Sequence, residues 1–191
     1  DCNVGYDSRV LIQGPGQQGL SQVVACKQAG ASLIIITGTN KDIKRLAVAK
    51  SLGADYTINV EKEDPLERIM EITSGEGMDV SLECTAGAGT IPVLLGIEAM
   101  KRKGGTLLIQ GEVPDFPNFP MGKIANKYIT IKAARGHNYR SCELALKQLN
   151  SDRFDLSQIT THRFGLKDTH EAINAVGGSG EVIHVSLMPW E

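Results

Sequence analysis

The sequence predicts an α/β fold in which a doubly wound parallel sheet of six strands is followed by a smaller C-terminal appendage. Short apolar segments alternate with segments of helical periodicity from the start of the chain. Glycine follows several of the helical segments, as it does where a left-handed residue ends a helix. A glycine-rich turn separates the first apolar segment from the first helical one. Strands that alternate with helices pair in parallel, because parallel neighbours need a crossover connection.

The first strand-helix-strand unit has the clearest pattern. Residues 9–13 read R-V-L-I-Q, a short β-branched run stopped by glycine, which is typical of a buried parallel strand. A helix is predicted over 19–29 with Gly30 as its C-cap, and a second apolar strand over 33–37.

The same alternation continues to residue 136. Further helices are predicted over 42–52, 65–73 and 90–100, the second of them with proline in its first turn. Further strands are predicted over 56–60, 78–84, 106–110 and 129–134, with a proline-rich loop over 114–120 and a short helix before the last strand. Six strands in this rhythm favour the sheet order 3-2-1-4-5-6.

The rhythm changes beyond Gly136. We predict a helix over 138–150, a short strand near 162–164, a helix over 167–176, a flexible segment over 177–180 and a last strand over 182–187. Residues 137–191 are therefore interpreted as a C-terminal segment that does not continue the main sheet.

Composition excludes several classes of function. The chain of 191 residues is 41% hydrophobic and 22% charged with a formal net charge of -2, which gives no electrostatic reason to expect a nucleic-acid partner. Its longest purely apolar run covers only 33–36, far short of the roughly 20 residues that cross a bilayer. The N-terminus has no signal-peptide pattern. We therefore expect a cytoplasmic protein with no membrane partner.

The cysteines and histidines do not form a metal-binding pattern. The four cysteines lie far apart without a Cys-x-x-Cys pair, and the four histidines lack a His-x-x-x-His arrangement. We expect reduced thiols and no metal site in this chain.

The glycine-rich turn carries the most specific chemical signal. It reads G-P-G-Q-Q-G, and it follows a predicted strand and opens a predicted helix, as the dinucleotide-binding fingerprint of a Rossmann fold requires. Gly14 permits the tight turn, Gly16 leaves room for a diphosphate, and Gly19 allows close packing of helix on strand. The amides of Gln17 and Gln18 are predicted to point at the phosphates. Residues 1–136 are therefore predicted to form a dinucleotide-binding domain.

The end of the second strand bears on which cofactor is bound. A site specific for NAD usually presents Asp or Glu there, and this sequence has Gly38. Hydroxyl, amide and cationic side chains that suit a 2′-phosphate follow it: Thr39, Asn40, Lys41, Lys44 and Arg45. The missing acid favours NADP(H), with NAD(H) as the alternative because Asp42 could turn back to the ribose.

Several longer segments resemble a known family. D-S-R-V-L-I-Q-G-P-G-Q-Q-G-L, R-L-A-V-A-K-S-L-G-A-D and G-M-D-V-S-L-E-C-T-A-G are similar to the cofactor domain of the medium-chain dehydrogenase/reductases, in the branch like zinc-type alcohol dehydrogenases. T-H-R-F-G-L-K-D-T-H-E-A-I and I-H-V-S-L resemble the segment that returns to the catalytic domain in that family. The resemblance covers nearly the whole chain.

The resemblance implies contacts at the ends of three further strands. These are Cys84 and Thr85 on the adenine side, Gln110, Gly111 and Glu112 along the nicotinamide, and backbone groups of Ala134, Arg135 and Gly136 at the carboxamide. Val182 and Ile183 stand where related enzymes often place a basic residue toward the pyrophosphate, so that contact is in doubt.

The resemblance also implies an activity. It is hydride transfer between NAD(P) and a small alcohol or carbonyl substrate, with the catalytic zinc and the proton relay in a preceding domain that this chain lacks. We therefore assign no catalytic residue here and expect the chain alone to be inactive. Related enzymes form dimers, so segments 106–110 and 114–120 could form a subunit edge of a homo-oligomer or simply a surface loop.

Two other functions stay open. A transferase that uses S-adenosylmethionine also has a glycine-rich turn after its first strand, although Gly38 counts against it because such enzymes usually keep an acid at that position. A nucleotide-sensing module without catalysis is the second alternative.

Overall fold

A computed structural model describes residues 2–176 and 181–190. Its main sheet has six parallel strands in the order β3-β2-β1-β4-β5-β6, which confirms the predicted order. The strands are β1 Arg9–Gln13, β2 Leu33–Gly38, β3 Tyr56–Asn59, β4 Val80–Glu83, β5 Thr106–Ile109 and β6 Thr130–Ala133. The α/β class and the six-stranded architecture are thus as predicted.

Seven α-helices lie within the described residues. They are α1 Gln17–Ala29, α2 Ile43–Ser51, α3 Pro65–Ile72, α4 Ile91–Ala99, α5 Met121–Lys127, α6 Tyr139–Leu149 and α7 Thr169–Val176. The first begins two residues before its predicted start, because Gly16 is already extended and its carbonyl accepts the amide of Leu20 at 2.9 Å. The second is preceded by a 3-10 turn, Asn40–Asp42, which the prediction had included in the helix.

The central strands are covered on both faces. Val10 and Ile12 of β1 belong to one apolar cluster, whereas Leu11 between them belongs to a second cluster on the opposite face. Ile34 and Ile35 of β2 divide in the same way. Because successive side chains of a strand point to opposite faces, both faces must be apolar when helices cover both. The central strands are therefore continuous apolar runs in the sequence because helices cover the sheet on both faces.

The C-terminal segment forms a small sheet of its own. Strand β7, His162–Gly165, pairs in parallel with β8, Val185–Met188, apart from the main sheet. The last strand begins three residues later than predicted, since the carbonyl of Val182 accepts a hydrogen bond from the Arg45 side chain rather than from a neighbouring strand. The predicted flexible segment 177–180 lies outside the described residues, and the boundary at residue 136 stays a prediction.

No helix in the described part of the chain combines the length and the apolar character that crossing a bilayer requires.

Candidate functional site

The turn between β1 and α1 requires glycine at its first position. Gly14 has φ +93°, a left-handed conformation that L side chains rarely adopt. A Cβ atom there would also lie 3.0 Å from the carbonyl oxygen of Cys84 and 3.0 Å from Cγ2 of Thr85. The turn therefore packs directly against the end of β4.

The other two glycines of the turn have opposite surroundings. A Cβ on Gly19 would lie 1.9 Å from the carbonyl oxygen of Gly14, so α1 could not approach the turn with any side chain there. A Cβ on Gly16 would meet no atom within 4 Å. Gly16 is the N-cap of α1, and no side chain of the described residues caps it. The first amides of α1, including Gln17 and Gln18, thus face an open space with the positive end of the helix.

This open space is part of a cavity of about 550 Å³ at the carboxyl ends of the strands. Ten of the residues predicted to bind cofactor line it: Gly16, Gln17, Gln18, Arg45, Cys84, Thr85, Gln110, Gly111, Glu112 and Arg135. They come from α2 and from the segments after β1, β4, β5 and β6, so the fold brings them to the crevice where doubly wound sheets bind ligands. Its volume is within the range of about 300–1,000 Å³ that small-molecule sites have.

The remaining predicted residues lie beside or beneath the cavity. Gly14 and Gly19 form the base of the turn, and Ala134 packs against the apolar cluster of β1. Those at the end of β2 and directly after it are not part of the cavity lining: Gly38, Thr39, Asn40 and Lys41.

Packing accounts for the glycine at the end of β2. A Cβ on Gly38 would lie 3.0 Å from Cγ of Pro15, 3.1 Å from Cβ of Asp42 and 3.2 Å from Cδ2 of Leu46. Such contacts are tighter than a Cβ usually makes, so an acidic side chain would need its neighbours to shift. The missing acid thus has a structural cause as well as a possible consequence for the cofactor.

Asp42 is held by its own turn. Its carboxylate accepts hydrogen bonds from the Thr39 amide at 3.0 Å, the Thr39 hydroxyl at 2.8 Å and Nη1 of Arg45 at 3.0 Å. The Asp42 side chain is only 13% exposed. Nearby, Glu61 accepts the amide of Asn40 at 2.6 Å. Sequence analysis did not identify Glu61, because it follows β3 and approaches Asn40 only through the pairing of β2 with β3.

The C-terminal segment closes one side of the cavity. Its contribution consists of Val176, Val182, Ile183, His184 and Val185. Arg45 of α2 donates to the Val182 carbonyl, and the neighbouring Lys44 forms an ion pair with Glu181. Two of the three basic residues assigned to a 2′-phosphate, Lys44 and Arg45, therefore also attach this segment to α2.

A buried carboxylate supports the cavity floor. Glu83, the last residue of β4, accepts hydrogen bonds from the Thr85 amide at 2.8 Å, from the Thr85 hydroxyl, and from the Gly111 amide at 3.0 Å. A Cβ on Gly111 would lie 2.4 Å from Oε2 of Glu83, so glycine is required there. Sequence analysis did not identify this role, because in the sequence Glu83 is only a polar residue at the end of an apolar strand.

Gln110 and Cys84 meet above this floor. Oε1 of Gln110 accepts hydrogen bonds from Nε2 of Gln22 at 3.2 Å and from Sγ of Cys84 at 3.8 Å. Burial, with a further contribution from the charge of Glu83, raises the pKa of Cys84 to about 12. The Cys84 thiol therefore stays protonated at neutral pH and serves as a neutral lining group, since the thiolate is the nucleophilic form.

Within residues 2–176 and 181–190, the structure contains no group of three or more His, Cys, Asp or Glu side chains placed to hold a metal ion. The donors around the cavity are amides, hydroxyls and guanidinium groups, which suit an anionic organic ligand.

Comparison with known proteins agrees with this geometry. Residues 19–151 match the zinc-binding dehydrogenase family. A sorbitol dehydrogenase from Halalkalibacterium halodurans is 34% identical over 185 residues, which is 94% of this chain and 51% of the relative. An L-threonine 3-dehydrogenase from Bacillus subtilis is 33% identical over 93% of this chain and 50% of the relative.

A solved structure shows the same architecture. An alcohol dehydrogenase from Thermus sp. superposes with a TM-score of 0.84 at 28% identity, over 97% of this chain and 52% of that one. The chain thus spans about half the length of the relatives that it matches. The family match covers more than half of the chain, and the chain belongs to the zinc-binding dehydrogenase family.

Proposed function

We propose that this domain binds a nicotinamide dinucleotide and that the whole protein transfers a hydride between this cofactor and a small alcohol or carbonyl compound. The observation that carries the proposal is the open space at Gly16, where the first amides of α1 face a cavity lined by the predicted residues. The names of the relatives, sorbitol and threonine dehydrogenases, support the reaction class.

The residues present fit such a cofactor. The diphosphate would lie on the Gln17 and Gln18 amides, where a Cβ on Gly16 would otherwise stand. The adenosine half would lie toward β2 and the nicotinamide half over β4, β5 and β6, because the two halves occupy opposite sides of the crevice. Cys84 and Thr85 follow β4, so we now assign them to the nicotinamide half rather than to the adenine side suggested by the resemblance.

The bound cofactor would supply the hydride donor or acceptor, and this chain would orient it. Gln110, Gly111, Glu112, Ala134 and Arg135 would border the nicotinamide half. The resemblance places zinc and the proton relay in a catalytic domain, and we propose that this domain is a part of the protein outside this chain. The chain by itself would then bind the cofactor without turnover.

We further propose that NADP(H) is preferred over NAD(H). No carboxylate stands at Gly38, and Asp42 is turned toward Thr39 and Arg45 rather than toward the cavity. Lys41 is exposed at the same turn and could meet a 2′-phosphate. Titration with NADPH and NADH, following nicotinamide fluorescence, tests the preference. Tighter binding of NADH would refute it without affecting the proposed function.

The central claim is tested by substituting Gly16. Gly16→Val would place a side chain where the diphosphate should lie while meeting no protein atom at Cβ. We expect NADPH at about 100 times its dissociation constant to raise the melting temperature of the unmodified chain by roughly 5–10 °C and that of the variant by almost nothing.

Gly122→Val is the matched control. A Cβ on Gly122 also meets no atom within 4 Å, but Gly122 lies on α5 and outside the cavity lining. The control should keep the full thermal shift. A full shift in Gly16→Val, or none in the unmodified chain with either nucleotide, would contradict the proposal.

A further inference from the structure

Glu83 is the only acidic or basic residue in the fully buried class among the described residues, with 0% of its surface exposed. Burying a carboxylate is unfavourable unless hydrogen bonds or an opposite charge compensate it. Hydrogen bonds from Thr85 and Gly111 are present, but no cation in the described part of the chain forms an ion pair with Glu83. Its negative charge is therefore stabilised by dipoles and is not neutralised by a neighbouring positive group.

The position of this charge relative to the cavity is defined by its partners. Thr85 and Gly111 both line the cavity, and their amides donate to opposite oxygens of the Glu83 carboxylate. The carboxylate thus lies directly beneath the cavity floor at the ends of β4 and β5. Under the proposed function, this is the nicotinamide half of the crevice.

Two other charged side chains border the same end of the cavity. Arg135 donates from Nη2 to the carbonyl of Gly111 at 3.2 Å, and Glu112 follows Gly111. Both are exposed, so water and salt screen them more effectively than they screen Glu83. Glu83 therefore has the strongest unscreened influence on a charge placed above the floor.

This inference rests on the proposed function. We propose that Glu83 is a positioning residue whose buried charge strengthens binding of the oxidised cofactor relative to the reduced one. The oxidised nicotinamide ring carries a positive charge and the reduced ring is neutral. An anion in a low-dielectric setting beneath the ring attracts only the charged form. Hydrogen bonds to the floor, in contrast, serve both forms equally.

The test is Glu83→Gln, which removes the charge and keeps the side-chain shape. Dissociation constants for NADP⁺ and NADPH are measured on the same chain at constant pH and salt, NADPH by fluorescence and NADP⁺ by displacement of NADPH. We expect the ratio of the NADP⁺ constant to the NADPH constant to rise on the order of tenfold. A ratio that stays unchanged, even if both affinities fall, would overturn the inference.

Glu98→Gln is the matched control for charge. It removes a carboxylate from the C-terminal end of α4, which contacts Met78 just before the start of β4 and so lies at the end of the sheet opposite the cavity. It should therefore leave the ratio of the two dissociation constants unchanged. Thr85→Val is the control for geometry. It removes one donor to Glu83 and keeps the charge, so it should weaken both forms alike.

A second pair of variants keeps the test valid if Glu83→Gln does not fold. The double variant Glu83→Gln with Thr85→Val removes the Thr85 hydroxyl together with the carboxylate oxygen that accepts it, so only the Thr85 backbone amide is left without that acceptor. Its ratio is compared with that of Thr85→Val and should again be higher by about tenfold. If the unmodified chain binds neither form, the proposed function itself fails; if it binds both and the ratio does not respond, only this inference fails.

Discussion

The three glycines of the turn show that the same residue type can be required for different physical reasons. Gly14 and Gly19 are required by the protein itself, because a Cβ at either would contact neighbouring backbone or side-chain atoms. A Cβ on Gly16 would meet no protein atom within 4 Å, so packing does not require glycine there, and we propose that the bound diphosphate does. The sequence pattern predicted all three positions, but only the coordinates separate the structural glycines from the ligand-facing one.

The opposite end of the sheet depends on one carboxylate. Asp79 accepts hydrogen bonds from the amide of Arg9 at 2.9 Å and from its Nε at 3.0 Å, and it pairs with Lys101 at 2.9 Å. Burial alone would raise the pKa of Asp79, but these hydrogen bonds lower it to about 2. The group therefore joins the start of β1 to the start of β4.

We expect Asp79→Asn to lower the free energy of unfolding by about 2 kcal/mol at pH 7. The folded pKa lies below the unfolded value of about 3.9, so this contribution is complete above roughly pH 4 and is lost as the pH falls toward 2. Urea unfolding between pH 2 and pH 7 measures it. Glu76→Gln removes an exposed partner of the same Arg9 and should change stability by about 0.5 kcal/mol or less. Equal effects of the two variants at pH 7 would contradict the prediction.

At the scale of elements, helix ends depend on groups that are remote in sequence. The C-terminal carbonyls of α4 are met by Nζ of Lys127, which lies at 3.0 Å from the Ile97 oxygen, 2.7 Å from that of Glu98 and 3.1 Å from that of Met100. Lys127 is the last residue of α5, so this contact joins two helices. Cations at a helix C-terminus also interact favourably with its dipole.

Lys127→Met should leave these carbonyls without their donor and lower the free energy of unfolding by about 1–3 kcal/mol. Lys123→Met is the control on the same helix, since it removes only an ion pair with Glu98, and we expect a loss of about 0.5 kcal/mol or less. Chemical denaturation of both variants compares them. If Lys127→Met left the free energy of unfolding unchanged, water would be replacing the lysine as the donor to these carbonyls.

The predictability of the elements follows from local chemistry. Helix α6 was predicted from its periodicity, and Asn138 starts it by accepting the amide of Ser141 at 2.8 Å. The 3-10 turn before α2 was missed because it depends on how Asp42 folds back onto Thr39. Patterns of apolar residues indicate which elements form, whereas side-chain hydrogen bonds decide where they end.

At the scale of the whole molecule, one wall of the cavity is formed by the C-terminal segment, which hydrogen bonds hold against α2. Arg45 links Asp42 to the carbonyl of Val182, 137 residues further along the chain. The sequence indicated a phosphate ligand at Arg45. In the structure its Nη1 and Nη2 already donate to Asp42 and Val182, and only Nε has no partner among the described residues. Because these hydrogen bonds hold the cavity wall, losing them should change the affinity for any ligand of the cavity.

We therefore expect Arg45→Met to weaken binding of NADPH and NADH alike, by roughly three- to tenfold, because losing a partly buried, charge-assisted hydrogen bond loosens the cavity wall. Lys44→Met removes only the exposed ion pair with Glu181 and should have a smaller effect. Fluorescence titration of both nucleotides measures the effect. A selective loss of NADPH binding in Arg45→Met would instead identify Arg45 as a ligand of the 2′-phosphate.

The sequence alone determined the sheet order, the position of the glycine turn and the family. These depend on local patterns of apolar residues and glycine, and on segments that resemble a known family. Only the tertiary structure showed that Glu83 lies beneath the cavity floor, that Asp42 pairs with Arg45 and that the C-terminal segment closes the site. The physical reason is that burial and hydrogen bonding between distant segments depend on how the elements pack, and no local pattern encodes which partners then meet.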